Sequence, residues 1–176
     1  MLLSIQQKYI LEVLRKLGCV RRRQLDTLTR EKFHRPDLEI SKGRMDAMLR
    51  QLRAGMGDIR LDSEFVRLSG ANPNTLLLEA VDVMLELAEK KPEDFKTRLE
   101  SPELLCFSWG SPVRLFTVAE LSAPIQPTVE LLVRKKRVVW ISDSGSIPEG
   151  LALPPKHFFA ARLEDGSHRF YGSNGP

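Results

Sequence analysis

The sequence is poor in the residues that build metal centres and disulfide frameworks, with 2 cysteines and 3 histidines among 176 residues. Cys19 and Cys106 alone make neither a disulfide framework nor a zinc site. His34, His157 and His168 stand in unrelated contexts, none at ligand spacing from another His, Cys or paired carboxylate. No window approaches the roughly 18 consecutive apolar residues of a membrane span. The opening MLLSIQQKYILEVL has no basic n-region and turns amphipathic at once, so it does not read as a signal peptide. Neither G-x-G-x-x-G nor G-x-x-x-x-G-K-[ST] occurs. Repeats and low-complexity tracts are also missing. The expectation is a reduced, cytoplasmic protein with no membrane partner, no metal and no cofactor, and not an enzyme.

What remains is ordinary globular composition, 42% hydrophobic and 28% charged, with charge unevenly spread. Residues 1–70 hold 15 Lys+Arg against 9 Asp+Glu, a net of +6. Residues 71–176 hold 12 against 14, a net of −2. That asymmetry is expected of a nucleic-acid-binding module with an appended domain, although solubility alone also produces it.

Helical periodicity runs from Ser4 to Leu17, with Ser4 placed to cap the start and Gly18 the stop. After a short break, RRRQLDTLTREKF gives a second helix ending before Pro36. Ser41 caps a third, KGRMDAMLRQLRAG, with Met45, Met48, Leu49 and Leu52 in one stripe before Gly55. DIRL and FVRL around Asp62-Ser63-Glu64 read as a hairpin. Three helices and a hairpin in 1–70 is the element order of a winged helix-turn-helix, shared with other small helical domains.

Asn72-Pro73-Asn74 punctuates the chain, and 71–176 reads as a small mixed α/β domain beginning with a linking helix, LLLEAVDVMLELAEKK. That helix is apolar over more than a stripe, so it is either sandwiched between layers or the surface of a homodimer. Pro92 suits the first turn of a short helix in PEDFKTRLE. ELLCFSW and VRLFTVAEL read as strands joined at Gly110-Ser111-Pro112. QPTVELLVRKK fits helix or strand, and RVVWISD is a buried central or parallel strand. HFFAARL and HRFYGS flank a hairpin signal at Asp165-Gly166. The fold class is α+β, with about five strands in the second region.

QKYILEVLRKLGCVRRRQL, the strand pair around Gly110, RVVWISD and HFFAARLEDGSHRFYG together resemble small Firmicutes winged-helix proteins. More loosely, they resemble the replication-relaxation proteins of plasmids and conjugative elements. The resemblance spans nearly the whole chain but consists of apolarity and turns rather than catalytic signatures. It implies a winged helix followed by a degenerate restriction-endonuclease-like domain, and the biology of DNA or mobile elements. Nuclease relatives use a strand Asp and a Glu-x-Lys on the next strand. Here Glu103 and Glu120 fall on the corresponding strands, but Leu121 and Ser122 follow Glu120, with no lysine two positions on. A hydrolytic Mg²⁺ site is therefore not expected.

The third helix would carry the DNA contacts. Stepping 100° per residue, Gly43, Ala47, Arg50 and Ala54 lie opposite the apolar stripe. Asp46 and Arg53 flank them on one side, Arg44 and Gln51 on the other. Arg44, Arg50, Gln51 and Arg53 are residue types that pair with base edges and phosphates, and Arg21, Arg22 and Arg23 would meet phosphates. A solvated face, or a helix–helix contact through the small residues, accounts for the same pattern. The Asp62-Ser63-Glu64 tip would repel phosphate and argues against a simple wing. A second basic run, Arg134 to Arg137, fits a solvated turn as well as a nucleic-acid contact. Ser142 to Ser146, after the best strand, reads as a capped turn rather than a ligand loop. The expected function is therefore non-catalytic binding of double-stranded DNA. The alternative is a protein-interaction or scaffold module using the winged helix only for packing.

Overall fold

A computed structural model describes residues 2–36, 39–98 and 100–173. The chain divides into two compact units, Met1–Asn74 and Thr75–Pro176, each mixing helix and sheet. Its described residues include no helix long and apolar enough to cross a membrane.

In the first unit α1 (Ile5–Leu17), β1 (Cys19–Arg21), α2 (Arg22–Lys32), α3 (Lys42–Met56), β2 (Ile59–Leu61) and β3 (Phe65–Leu68) follow one another. Helix α1 starts on a reciprocal capping box. The Ser4 hydroxyl accepts from the Gln7 amide at 3.2 Å, and the Gln7 side chain accepts from the Ser4 amide at 3.0 Å. It stops where Gly18 turns left-handed at φ 72° and donates to the Leu14 carbonyl at 2.7 Å. The break expected at Gly18-Cys19-Val20 is a strand. Cys19 and Val20 pair with Arg67 and Val66 of β3, giving an antiparallel sheet in the order β1-β3-β2. Helix α3 runs past Gly55 to Met56, capped by Ser41 and closed by Gly57. Ile10, Leu14, Leu25, Leu28, Leu52, Ile59 and Val66 are fully buried or nearly so and form the core.

The second unit begins with α4 (Thr75–Leu87). A meander follows of β4 (Asp94–Thr97), β5 (Glu103–Trp109) and β6 (Arg114–Glu120), then the short α5 (Ile125–Leu131). Strands β7 (Val138–Ile141), β8 (His157–Arg162) and β9 (His168–Gly172) complete a six-stranded sheet in sequence order. Strands β6, β7 and β8 are mutually parallel and the other pairings antiparallel. The helix expected in PEDFKTRLE is β4, whose residues 94–97 pair with Ser108 to Leu105, while Leu99 lies outside the described residues. The ambiguous QPTVELLVRKK contains α5, which supplies the crossover that a parallel β6–β7 pair requires. Val138, Val139, Trp140 and Ile141 are all buried, as a strand with parallel neighbours on both sides demands.

Helix α4 packs on β5 and β6, and its Leu78, Ala80, Val81, Val83, Met84 and Leu85 are buried within the chain. Its apolar breadth is thus covered internally, and a homodimer would need another surface. Glu79 is buried with them at 4% exposure, and a buried carboxylate must be paired. Arg162 on β8 donates to Glu79 Oε2, and His168 Nε2 lies 3.2 Å from Glu79 Oε1. His168 Nδ1 lies 3.0 Å from Glu86 Oε1, and the His168 amide donates to Glu86 Oε2 at 3.0 Å. With a carboxylate on each ring nitrogen, the imidazole is held as a double donor. Gly145 makes room for this arrangement: a Cβ there would lie 2.9 Å from the Arg162 Cβ. The Ser142–Ser146 segment is the expected turn, and it passes behind the arginine.

His157, 17 residues from Trp140, takes the opposite charge state. Trp140 Nε1 donates to His157 Nδ1 at 3.3 Å, leaving Nε2–H to donate to the Lys135 carbonyl at 3.1 Å. Burial lowers its pKa below the ordinary 6.5, so the ring is neutral. For His168, burial also opposes charge, but the bonds to Glu79 and Glu86 outweigh it and the pKa is raised. The protonated ring's contribution is therefore complete below the ordinary value and is lost as pH rises through the higher folded one. Glu79 shifts the other way. Burial raises its pKa, the bonds to His168 and Arg162 lower it further, and its contribution is lost only as pH falls through the lowered value. We expect His168→Gln to destabilise the second unit by about 3 kcal/mol, the usual cost of removing one member of a buried ion cluster. Melting the full chain from about pH 6 to about pH 9 should show a falling Tm that is flatter in the variant. Equal slopes would exclude a charged His168.

Candidate nucleic-acid interface

The side chains of α3 sort cleanly into two sets. Met45, Met48, Leu49 and Leu52 are buried, whereas Gly43, Arg44, Arg50, Gln51, Arg53 and Ala54 are exposed. A Cβ built on Gly43 would meet nothing within 4 Å, so the start of the helix is open. Among the described residues, the side chains of Arg44, Arg50 and Arg53 have no hydrogen-bond or ion-pair partner, although the Arg44 amide donates to the Ser41 cap. Gln51 is different, because its side-chain oxygen accepts from Gln7 Nε2 of α1 at 3.0 Å. That bond orients Gln51 and ties α3 to α1.

The triple arginine at the start of α2 divides by role. Arg22 pairs with Asp46 of α3 at 2.7 Å and donates to the Asp62 carbonyl in the β2–β3 turn at 3.1 Å. One guanidinium thus joins α2, α3 and the hairpin. Arg21 lies on β1, 3.8 Å from the Glu64 carboxylate. Arg23 is exposed on α2 and lines a groove between α2 and α3 of about 190 Å³ with Arg22, Arg30, Lys42, Asp26 and Asp46. Both acids there are engaged, Asp46 by Arg22 and Asp26 by Arg30 at 3.1 Å. Lys42 opens α3 and was missed by the sequence reading. Its signal was position alone, a cation one residue inside the Ser41 cap.

The acidic hairpin tip has an internal explanation. Asp62 Oδ1 accepts from the amides of Glu64 at 3.0 Å and Phe65 at 2.6 Å, closing the turn. The Phe65 amide bond is the main reason its carboxyl sits below the ordinary range. Arg67 adds a contact at 4.0 Å and Arg21 reaches Glu64, so the tip's negative charge is answered from within the unit.

In the second unit Glu103 lies between Arg98 at 3.6 Å and Lys135 at 3.2 Å. Cys106 is buried but not in a purely apolar site. Its Sγ accepts from Arg98 Nε at 3.2 Å and lies 3.5 Å from the Thr117 hydroxyl. No group of three or more His, Cys, Asp or Glu side chains converges as a metal site among the described residues. Comparison with protein-family models, curated proteins and solved structures gives no match to this chain.

Arg22→Ala is expected to destabilise the first unit by about 1–2 kcal/mol, because it leaves Asp46 half-buried and unpaired. Arg50→Ala, on the open face, should stay within about 0.5 kcal/mol of the parent. Urea denaturation of both variants checks the contrast. Equal midpoints would place Arg22 among the surface cations.

Proposed function

We propose that the first unit is a winged helix that binds double-stranded DNA through α3, and that the protein does not cut the DNA it binds. One observation carries this reading: α3 presents three arginine side chains without partners, while Asp46 on the same helix and Asp62 and Glu64 in the hairpin each already have a cation. Such a face attracts phosphate without first releasing an internal partner. The order α1-β1-α2-α3-β2-β3, with strands arranged β1-β3-β2, supports the winged-helix assignment, with α3 in the recognition position.

The dimensions fit as well. Arg44 and Arg53 are nine residues apart, about 13.5 Å along a helix axis, close to the roughly 12 Å width of a B-DNA major groove. The two ends of α3 can therefore meet opposite walls while Arg50 faces the floor. Gly43 and Ala47 leave the backbone free to approach. In this reading Arg21 and Arg22 hold the hairpin and helices in place, whereas Arg23 and Lys42 flank the groove on the phosphate side. The setting of a plasmid or integrated mobile element follows from the sequence resemblance alone. The helix, three-strand meander, crossover helix and parallel strand of the second unit are compatible with the degenerate nuclease-like fold that the resemblance implies.

Fluorescence anisotropy with mixed duplexes tests the proposal. Binding should weaken steeply with salt. Replacing Arg44, Arg50 and Arg53 by Ala should flatten the slope of log K against log salt by up to about 3, one contact per arginine. No binding at low salt would overturn the proposal, and a triple variant that binds like the parent would move the site off α3. Supercoiled plasmid incubated with the protein and Mg²⁺ or Mn²⁺ should stay intact, since Glu103 is already held by Arg98 and Lys135. Nicking that is lost in Glu120→Ala would refute the non-catalytic reading.

A further inference from the structure

The second basic run of the sequence does not lie on a convex surface. Arg134, Lys135, Lys136 and Arg137 form the turn from α5 into β7, and they line a cavity of about 250 Å³ with Leu115 and Thr117 of β6. No carboxylate lines it. Glu103 reaches Lys135 from outside but divides its charge with Arg98, so the cavity keeps a positive excess. Four consecutive cations gathered into one concavity repel one another, and the low-dielectric wall behind them concentrates their field.

Two further features make this a prepared site. The Arg137 guanidinium lies 6.0 Å from the ring centroid of Phe116, which is itself stacked on Phe107 at 5.1 Å. One cation is thereby steadied by an aromatic surface before any anion arrives. Thr117, buried at 2% exposure, keeps its hydroxyl against the Cys106 thiol at 3.5 Å, and its amide donates to the Arg137 carbonyl at 3.0 Å. That bond fixes the turn against β6.

We infer that this cavity binds a phosphoryl group, with Arg134, Lys136 and Arg137 as its charge partners. The chemistry is set by charge and by donor number: several cations and no acceptor select an anion that offers several oxygens. Size narrows it further. The cavity is below the roughly 300–1,000 Å³ of sites that enclose whole drug-sized ligands, so it takes the phosphoryl end and leaves the rest in solvent. That group can belong to a free pyrophosphate or to the end or backbone of a nucleic-acid strand. The site lies in the second unit and does not depend on duplex binding by α3.

The test titrates the full chain with inorganic pyrophosphate, followed by ³¹P NMR, and in parallel with a 5′-phosphorylated single-stranded oligonucleotide, followed by anisotropy. We expect saturable binding that weakens at least about tenfold when Arg134 and Lys136 are both replaced by Gln. It should be unchanged when the exposed Lys8 of α1 is replaced by Gln. Saturation by pyrophosphate supports a free ligand, and saturation by the oligonucleotide alone supports a strand as the source of the group. Arg134→Lys with Lys136→Arg keeps the charge and should keep the binding, which separates loss of charge from loss of fold. Lack of binding by either probe at millimolar pyrophosphate and micromolar oligonucleotide would overturn the inference. So would binding indifferent to the Gln pair.

Discussion

A carboxylate buried on an apolar helix sets the terms for the second unit. Glu79 sits between Leu78 and Ala80 on the face of α4 that packs on the sheet, where an ionised group without a partner would cost several kcal/mol. Its partners come from more than 80 residues away, Arg162 at the end of β8 and His168 at the start of β9. The Asp165-Gly166 hairpin brings them together, with Asp165 accepting from the Ser167 amide and hydroxyl. One charge thus ties the last hairpin to α4 through Arg162 and His168.

The first unit follows the same electrostatic logic. Asp46, Asp62 and Glu64 each meet an arginine from α2, β1 or β3, and the hairpin closes on α2 through the Arg22–Asp62 contact. Partnering the acids internally leaves the unit's net positive charge on the residues that have no partner. On α3, among the described residues, those are Lys42, Arg44, Arg50 and Arg53. The histidines show how far context decides such matters: a tryptophan N–H fixes His157 as a neutral acceptor, while two carboxylates hold His168 as a cation.

Local signals in the sequence were enough for elements whose stability is local. Ser4, Ser41 and Gly18 mark real helix ends, and the apolar stripe of α3 predicts which of its residues face water. Elements that exist because of distant partners were not legible. Cys19–Arg21 is too short to read as a strand until β3 lies beside it. Pro92, Glu93 and Asp94 read as a helix start, yet the free edge of β5 pairs all four residues of Asp94–Thr97. The exposed arginines of the candidate interface could be read from a 3.6-residue period. The fate of Arg22 and Gln51 could not, because their partners are 24 and 44 residues away.

The acidic hairpin tip bears most directly on how DNA would be held. Read in sequence, it is a wing that phosphate repels. In the structure, Asp62 is bound by two backbone amides and, with Glu64, is answered by Arg21, Arg22 and Arg67. The repulsion is thereby reduced, but those three arginines are also withdrawn from contact with DNA. Arg60, exposed on β2, is the hairpin cation left without a partner among the described residues. Under the proposed reading the hairpin would therefore contribute little attraction, and the electrostatic part of binding would rest on α3 and the groove beside it. A reader with few phosphate contacts gains less from the sequence-independent term, so more of its affinity must come from base edges or from DNA shape. The compact arginine face of α3, with small residues at its centre, is suited to that demand.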